Sequence, residues 1–357
     1  MNPISFGIIG GGWRAEFFLR IARSLPERFR VGAMMVRDEA KGRLLEEVWG
    51  VKTYRSVDGL LAVSDLQFVV VSVPRAVCPE MLRHLARRGM PALAETPPAP
   101  DLEGLIAVHE LAERGARIQV AEQYQFQPLH AARLSIARSG KLGRVSQAQV
   151  SAAHGYHGVS LLRLFLGVGF ESATIRARRF VSPIVAGPGR AGPPAAESVT
   201  DSVQVIAQLD FDGRLGVYDF TGDQYFSWIR SPRLLVRGER GEINNLDVRY
   251  LKDYLTPVEF ELKRVNAGEG GNLEGYYLKG ILAGEEWVYR NPFVPGRLTD
   301  DEIAVATCLE KMAAYAAGGP GFYSLAEASQ DHYLSLLIDQ AAQSGEAVVA
   351  TRQPWAP

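Results

Sequence analysis

The residues best placed by type and spacing to do chemistry lie near the N-terminus. Ile8-Ile9-Gly10-Gly11-Gly12-Trp13-Arg14-Ala15 closes the apolar run Ile4–Ile9 and opens an amphipathic segment that runs to Ser24. This is the pattern G-x-G-x-x-A at a strand-to-helix junction. Gly10 permits the tight turn, Gly12 lets backbone amides approach a pyrophosphate, and Ala15 lets helix and strand pack closely. Free amides and the helix dipole at such a terminus favour an anion. The chemistry expected is the binding of a nicotinamide dinucleotide. In such units the second strand ends in an acidic residue that holds the ribose hydroxyls. Here Val36 ends the strand, and Arg37 follows beside Asp38. A guanidinium can take a 2′-phosphate bidentately. The expected cofactor is NADP or NAD, with a tilt to NADP.

The elements that must hold this loop follow from periodicity. Through residue 125 short apolar runs alternate with amphipathic segments, as in an α/β domain with a parallel sheet. Strands are expected at Ile4–Ile9, Arg30–Val36, Phe68–Ser72, Ala92–Glu95 and Ile118–Glu122. Helices are expected at Trp13–Ser24, Glu39–Trp49, Cys78–Arg88 and Leu102–Arg114. The run Phe68-Val69-Val70-Val71 suits a strand covered on both faces. After Pro128 a helix to Ser139 precedes the turn signal Gly140-Lys141-Leu142-Gly143. From Val145 onward strands dominate. In Ser202–Phe211, Val203, Val205, Ala207, Leu209 and Phe211 fall on one face, with Gln204, Gln208 and Asp210 on the other. Ala186–Ala196 and Asn266–Asn272 read as surface loops. Two helices, Asp300–Ala317 and Ser324–Ser344, close the chain. The fold class expected is α/β: a Rossmann domain at 1–125, then an α/β domain with a large, mostly antiparallel sheet at 126–357.

Composition narrows the function classes. The chain has 357 residues, 47% of them hydrophobic, with a net charge of −1 and a pI near 6.6. That size asks for two cores. The charge balance points away from nucleic acid and anionic membranes. The longest apolar stretch, Phe68–Val73, is far short of the ~20 residues that span a bilayer. Met1–Trp13 has no basic stretch before its apolar run, and glycines break that run, so it does not read as a secretion signal. With only Cys78 and Cys308, no disulfide framework is expected, which fits a reducing, cytoplasmic setting.

At this point the sequence resembles the glucose–fructose oxidoreductase/inositol dehydrogenase/MocA family over nearly its whole length. Glu95-Thr96-Pro97 stands where that family carries Glu-Lys-Pro. Val120–Pro128 (VAEQYQFQP) is similar to the family's exit from its Rossmann domain, with Gln125 in place of the usual arginine. Gly155-Tyr156-His157-Gly158-Val159-Ser160 resembles its G-x-H-x-x-D helix start. The resemblance implies a cytoplasmic NAD(P)-dependent oxidoreductase acting on a sugar, polyol or related alcohol or ketone. It also implies a homodimer or homotetramer. The candidate cofactor-binding residues are Gly10, Gly12, Trp13, Arg14, Ala15, Arg37, Ser72, Pro74, Glu95, Thr96, Pro97 and Gln123. No metal ligands are assigned.

The departures bear on mechanism. The family's lysine is Thr96 here, its catalytic aspartate is Ala153, and the later aspartate is Ser160; His157 is retained. Threonine offers no titratable base near neutral pH. The candidate catalytic set is therefore His157, with His154 and Tyr156 close in sequence and Tyr124 after the sixth strand. Gln224, Tyr225, Trp228 and Arg230 form a polar–aromatic set suited to a sugar-sized pocket, or else a surface turn. Asp331 reads as structural. Two other uses of the same loop stand beside net oxidation. One is chemistry without net redox change, such as glycoside cleavage through transient oxidation. The other is a non-catalytic dinucleotide-binding regulator.

Overall fold

A computed structural model describes residues 2–271 and 273–357. Met1, at the head of the N-terminal stretch, and Asn272, the end of the loop from Asn266, lie outside them. The chain forms two compact units. The first comprises residues 1–130, 265–280 and 290–329, and the second 131–264, 281–289 and 330–357. Among the described residues no helix is long and apolar enough to cross a membrane.

The first unit carries β1 (Ile4–Ile9), α1 (Ala15–Ser24), β2 (Phe29–Met35), α2 (Glu39–Trp49), β3 (Thr53–Tyr54), α3 (Val57–Leu61), β4 (Phe68–Val71), α4 (Cys78–Arg87), β5 (Ala92–Ala94), α5 (Leu102–Glu113) and β6 (Ile118–Val120). The six strands pair in parallel in the order β3-β2-β1-β4-β5-β6. Every residue of β4 is buried. A parallel strand is covered on both faces by its crossover helices, so it needs a continuous apolar run. The sheet order reverses between β1 and β4, and ligands of such sheets bind outside the strand ends at that reversal.

The chain continues through α6 (Pro128–Arg138), β7 (Val145–Ser151), α7 (Gly155–Leu166), β8 (Ala173–Val185), β9 (Val199–Asp210), β10 (Leu215–Thr221), β11 (Arg233–Gly238), β12 (Gly241–Asn244), β13 (Asp247–Leu251), β14 (Pro257–Asn266), β15 (Leu278–Ala283), β16 (Glu286–Arg290), α8 (Asp300–Ala316), α9 (Leu325–Ser344) and β17 (Val348–Ala350). Eleven strands form one sheet in the order β16-β15-β14-β13-β12-β11-β7-β10-β9-β8-β17. β7 and β10 pair in parallel. The β8–β9, β9–β10, β7–β11, β11–β12, β12–β13, β13–β14 and β8–β17 pairs are antiparallel. This is the α/β architecture expected from the sequence.

Two local readings need correction. The alternation expected along β9 holds only in its second half, where Ala207, Leu209 and then Phe211 are buried. In the first half Ser202 is buried, and Val203, Gln204 and Val205 are all half-buried. Polar partners on the face opposite Val203 and Val205 account for this: Ser202 Oγ bonds the Asp223 carboxylate, and Gln204 bonds Asp219. The first helix starts at Ala15 rather than Trp13, because Trp13 and Arg14 complete the turn that leaves β1.

The glycines of that turn differ in what they tolerate. Gly10 has φ of +116°, and a Cβ there would stand 2.0 Å from the Ser72 carbonyl oxygen. A Cβ on Gly12 would meet nothing within 4 Å. A backbone carbonyl cannot yield as a side chain can, so Gly10→Ala should cost more than about 3 kcal/mol. Gly12→Val should change stability by less than about 1 kcal/mol. Urea unfolding of the two variants checks this, and equal losses in both would show that the turn is not constrained as described.

Candidate active site

The sequence-predicted cofactor residues gather along one edge of the parallel sheet. Gly10, Gly12 and Trp13 follow β1, Arg37 follows β2, and Ser72 and Pro74 follow β4. Glu95, Thr96 and Pro97 follow β5, and Gln123 follows β6. Arg14 is the N-cap of α1 and its side chain does not cap the helix. The first amides of α1 therefore lack a side-chain acceptor, and the space on the Gly12 side is open. An open, uncapped helix terminus can receive an anion. Ala15 is buried, which lets α1 approach the sheet. Trp13 is 52% exposed and packs edge-on against Phe17.

Cations surround the end of β2. Arg37 is exposed. Arg55 donates to the Val36 carbonyl at 3.1 Å and to Thr53 Oγ1 at 2.9 Å. The Lys41 chain passes beside Gly11. The neighbouring acid is occupied, since Asp38 caps α2 by accepting from the Lys41 amide at 2.7 Å. The carboxylate that could repel a phosphate at Arg37 is thus bound to a helix terminus.

Arg14 ties several of these pieces together. Its Nε meets Glu95 at 3.0 Å, and its Nη1 meets Asp301, at the start of α8, at 2.8 Å. Gln123 donates to the same Asp301 carboxylate at 3.2 Å. α8 begins with a capping box between Thr299 and Glu302, so three acidic residues occupy its favourable first turn. Burial works against charge on Arg14, but Glu95 and Asp301 outweigh it and hold its pKa above the ordinary arginine range. Glu122 behaves in the opposite way. Burial pushes its carboxyl well above the usual range, the Tyr124 amide opposes this, and Glu95 adds to it.

The second unit gathers the predicted catalytic residues around the start of α7. His157 lies in the first turn, 5% exposed, and its ring centre is 4.9 Å from that of His154 and 4.5 Å from that of Tyr156. His154 Nδ1 lies 2.6 Å from Tyr225 Oη, and His154 Nε2 lies 3.3 Å from Tyr156 Oη. Crowding by these rings, and then the nearby His157, pushes the His154 pKa down to about 4. Glycine is required twice here. Gly155 has φ of +43°, and its Cβ would stand 2.8 Å from Ser335 Oγ. A Cβ on Gly158 would stand 2.6 Å from the Tyr218 ring. Ala153 and Ser160 are both fully buried, and Ser160 Oγ has no hydrogen-bond partner among the described residues. Both positions are sealed from any substrate.

The expected pocket set divides. Tyr225 joins the histidines, whereas Gln224 is buried and serves the backbone. It forms a capping box with Thr221 and bonds the Ser151 and Ser231 carbonyls. The Thr221-Gly222-Asp223-Gln224 spacing is the sequence signature of that box and marks Gln224 as structural. Trp228 is 79% exposed, and Arg230 donates to the adjacent Ile229 carbonyl. Tyr124 stays in the first unit near His130. Asp331 pairs with Arg163 at 2.5 Å in a buried structural contact. Sequence reasoning missed Asp301, Arg55 and the Tyr225–His154 bond; all are made by contacts distant in the chain.

Comparison with known proteins agrees with this architecture. Residues 4–122 match the oxidoreductase family with an NAD-binding Rossmann fold. An inositol 2-dehydrogenase from Streptomyces avermitilis is 30% identical over 146 residues, which are 40% of this chain and 42% of that protein. The chain matches only about two fifths of the length of the curated relatives. An Agrobacterium radiobacter oxidoreductase, solved with NAD+, L-tartaric acid and magnesium, has a TM-score of 0.67 at 16% identity, covering 97% of this chain and 98% of that one. A levoglucosan dehydrogenase solved with NADH gives 0.69 at 14% identity, covering 98% and 100%. The fold and the matched N-terminal segment define a chain with a Rossmann-type dinucleotide-binding domain. Over that segment the chain is similar to the Gfo/Idh/MocA family.

Glu122 supplies a test of the site's electrostatics. A carboxyl whose folded pKa lies above its unfolded value costs stability as pH rises from its ordinary value, 4.5, through the raised one. Below 4.5 that cost is absent. Glu122→Gln should therefore raise Tm more at pH 8 than at pH 4.5. A gain that does not grow with pH would contradict the upward shift of the Glu122 carboxyl.

Proposed function

We propose that the chain is an NADP- or NAD-dependent oxidoreductase that interconverts a sugar, polyol or related alcohol with its ketone by hydride transfer. The observation that carries this reading is the open, uncapped α1 terminus at the reversal point of the parallel sheet, with Gly12 free to admit a pyrophosphate. The bound nicotinamide supplies the hydride acceptor or donor. The chain's own residues do the rest. The loop from Gly10 to Ala15 holds the pyrophosphate, and Ser72, Pro74, Glu95, Thr96, Pro97 and Gln123 line the same sheet edge. Arg37, with Lys41 and Arg55 beside it, favours a 2′-phosphate, because Asp38 is committed to the α2 cap.

His157, His154 and Tyr156 are the candidate acid–base residues in this reading, and His157 is the one position of the family's catalytic set that keeps a titratable side chain. An imidazole can exchange a proton near neutral pH, which Thr96, Ala153 and Ser160 cannot. A relative named as an inositol 2-dehydrogenase supports the substrate class. The resemblance also favours a homodimer or homotetramer, and exposed apolar side chains along β8 and β9, among them Phe180, Val181 and Val199, suit such an interface.

Calorimetric titration tests the cofactor. NADP should bind more tightly than NAD, Arg37→Ala should narrow that difference, and Gly12→Val should abolish binding of both. Tighter binding of NAD by the wild type would contradict the reading of the β2 end. Turnover, followed by reduced-nicotinamide absorbance, tests the chemistry. His157→Gln should lower it by about two to four orders of magnitude with cofactor affinity unchanged. A variant that retains near-normal turnover would make His157 structural.

A further inference from the structure

The positions that carry the family's lysine and aspartate hold Thr96 and Ala153, so the proton chemistry of the proposed reaction needs another hydroxyl or base. Tyr225 is placed to supply it. Its hydroxyl meets His154 twice: the His154 backbone N–H donates to Oη at 3.0 Å, and Nδ1 of the same residue lies at 2.6 Å. A backbone donor on a phenol oxygen stabilises negative charge there. A second tyrosine does the corresponding job one residue on: Tyr218 Oη accepts from the Gly155 N–H at 2.8 Å. The two differ in access. Tyr218 is buried, and that burial raises its pKa above the ordinary range, so it stays a protonated anchor. Tyr225 is 41% exposed and can be reached. Its ring is held by edge contacts to Phe220 at 5.1 Å and His154 at 5.9 Å.

We propose that Tyr225 is a catalytic acid–base residue of this site, working as a dyad with His154, and that its hydroxyl exchanges the proton of the substrate alcohol. This rests on the oxidoreductase reading above. His154 is neutral near pH 7, since its pKa is pushed down to about 4. With Nδ1 accepting from Tyr225, the ring proton resides on Nε2, which faces Tyr156 Oη at 3.3 Å. In the oxidation direction, the alcohol O–H bond breaks and its proton passes to Tyr225 Oη. The Tyr225 proton passes to His154 Nδ1, and the Nε2 proton leaves through Tyr156 towards solvent. The carbon-bound hydrogen would leave with its electron pair as the hydride that an oxidised nicotinamide, bound as proposed above, would accept. One proton and one hydride are thus accounted for, and reduction runs the same path backwards.

The test uses full-length wild type and Tyr225→Phe, which keeps the ring and removes Oη. Turnover is measured with myo-inositol, levoglucosan and L-tartrate, alongside NADP affinity and the 15N shifts of the His154 ring. The proposal expects turnover on any alcohol the wild type oxidises to fall by about 100-fold or more, with NADP affinity unchanged. It expects the pH profile of the variant to lose a limb. It also expects the Nε2–H form of His154 in the wild type, relaxing towards a free-imidazole mixture in the variant. An active wild type whose variant keeps turnover within threefold overturns the role of Tyr225 and leaves the oxidoreductase reading standing. A wild type that binds NADP but oxidises none of the alcohols counts against that reading instead. The ring shifts need no turnover, and a wild-type His154 protonated on Nδ1 overturns the dyad by itself.

Discussion

Gly10 and the Ser72 carbonyl approach so closely that a Cβ on Gly10 would stand 2.0 Å from that oxygen. The contact joins the ends of β1 and β4, the two strands between which the sheet order reverses. Much of the first unit follows from it. The chain can turn sharply off β1 only with φ near +116°, which places Gly12 and the α1 amides over the sheet edge. Arg14 then sits where it can reach Glu95 after β5 and Asp301 at the start of α8. A partly buried guanidinium needs such partners, and two carboxylates without it would repel each other. The loop, the Glu95-Thr96-Pro97 segment and α8 are thus fixed by one turn and one cation.

The second unit relies on the same device for a different end. Gly155 and Gly158 admit close neighbours, Ser335 and Tyr218, that any side chain would displace. Their absence of bulk lets α7 begin against the sheet, and the helix start then presents His154, Tyr156 and His157 together. Ala153 and Ser160 are sealed, while a tyrosine from the turn after β10 bonds His154. The proposed acid–base pair bridges a helix start and a sheet turn.

Sequence legibility tracks the range of the contacts. The parallel strands were readable because burial on both faces leaves an uninterrupted apolar run, and Phe68–Val71 is the plainest case. The glycine loop was readable because its three small residues are needed within six positions. The large sheet was readable only as a class. Strands such as β14, in which Leu262 alone is fully buried, do not separate a core face from a solvent face by composition. Arg14–Asp301 spans 287 positions and Tyr225–His154 spans 71, and no local pattern encodes either. Gln224, left open between a pocket and a surface turn, carries a readable S/T-x-x-Q cap that its aromatic neighbours obscured.

The central claim is that one sheet edge of the first unit holds a dinucleotide. Hydrogen exchange read by mass spectrometry, with and without saturating NADPH, tests it most directly. The account predicts slowed exchange confined to the amides around Gly10–Ala15, Ser72–Pro74 and Glu95–Pro97, with the end of β2 protected more by NADPH than by NADH. No protection in those segments under saturating cofactor, or protection only elsewhere, would contradict it.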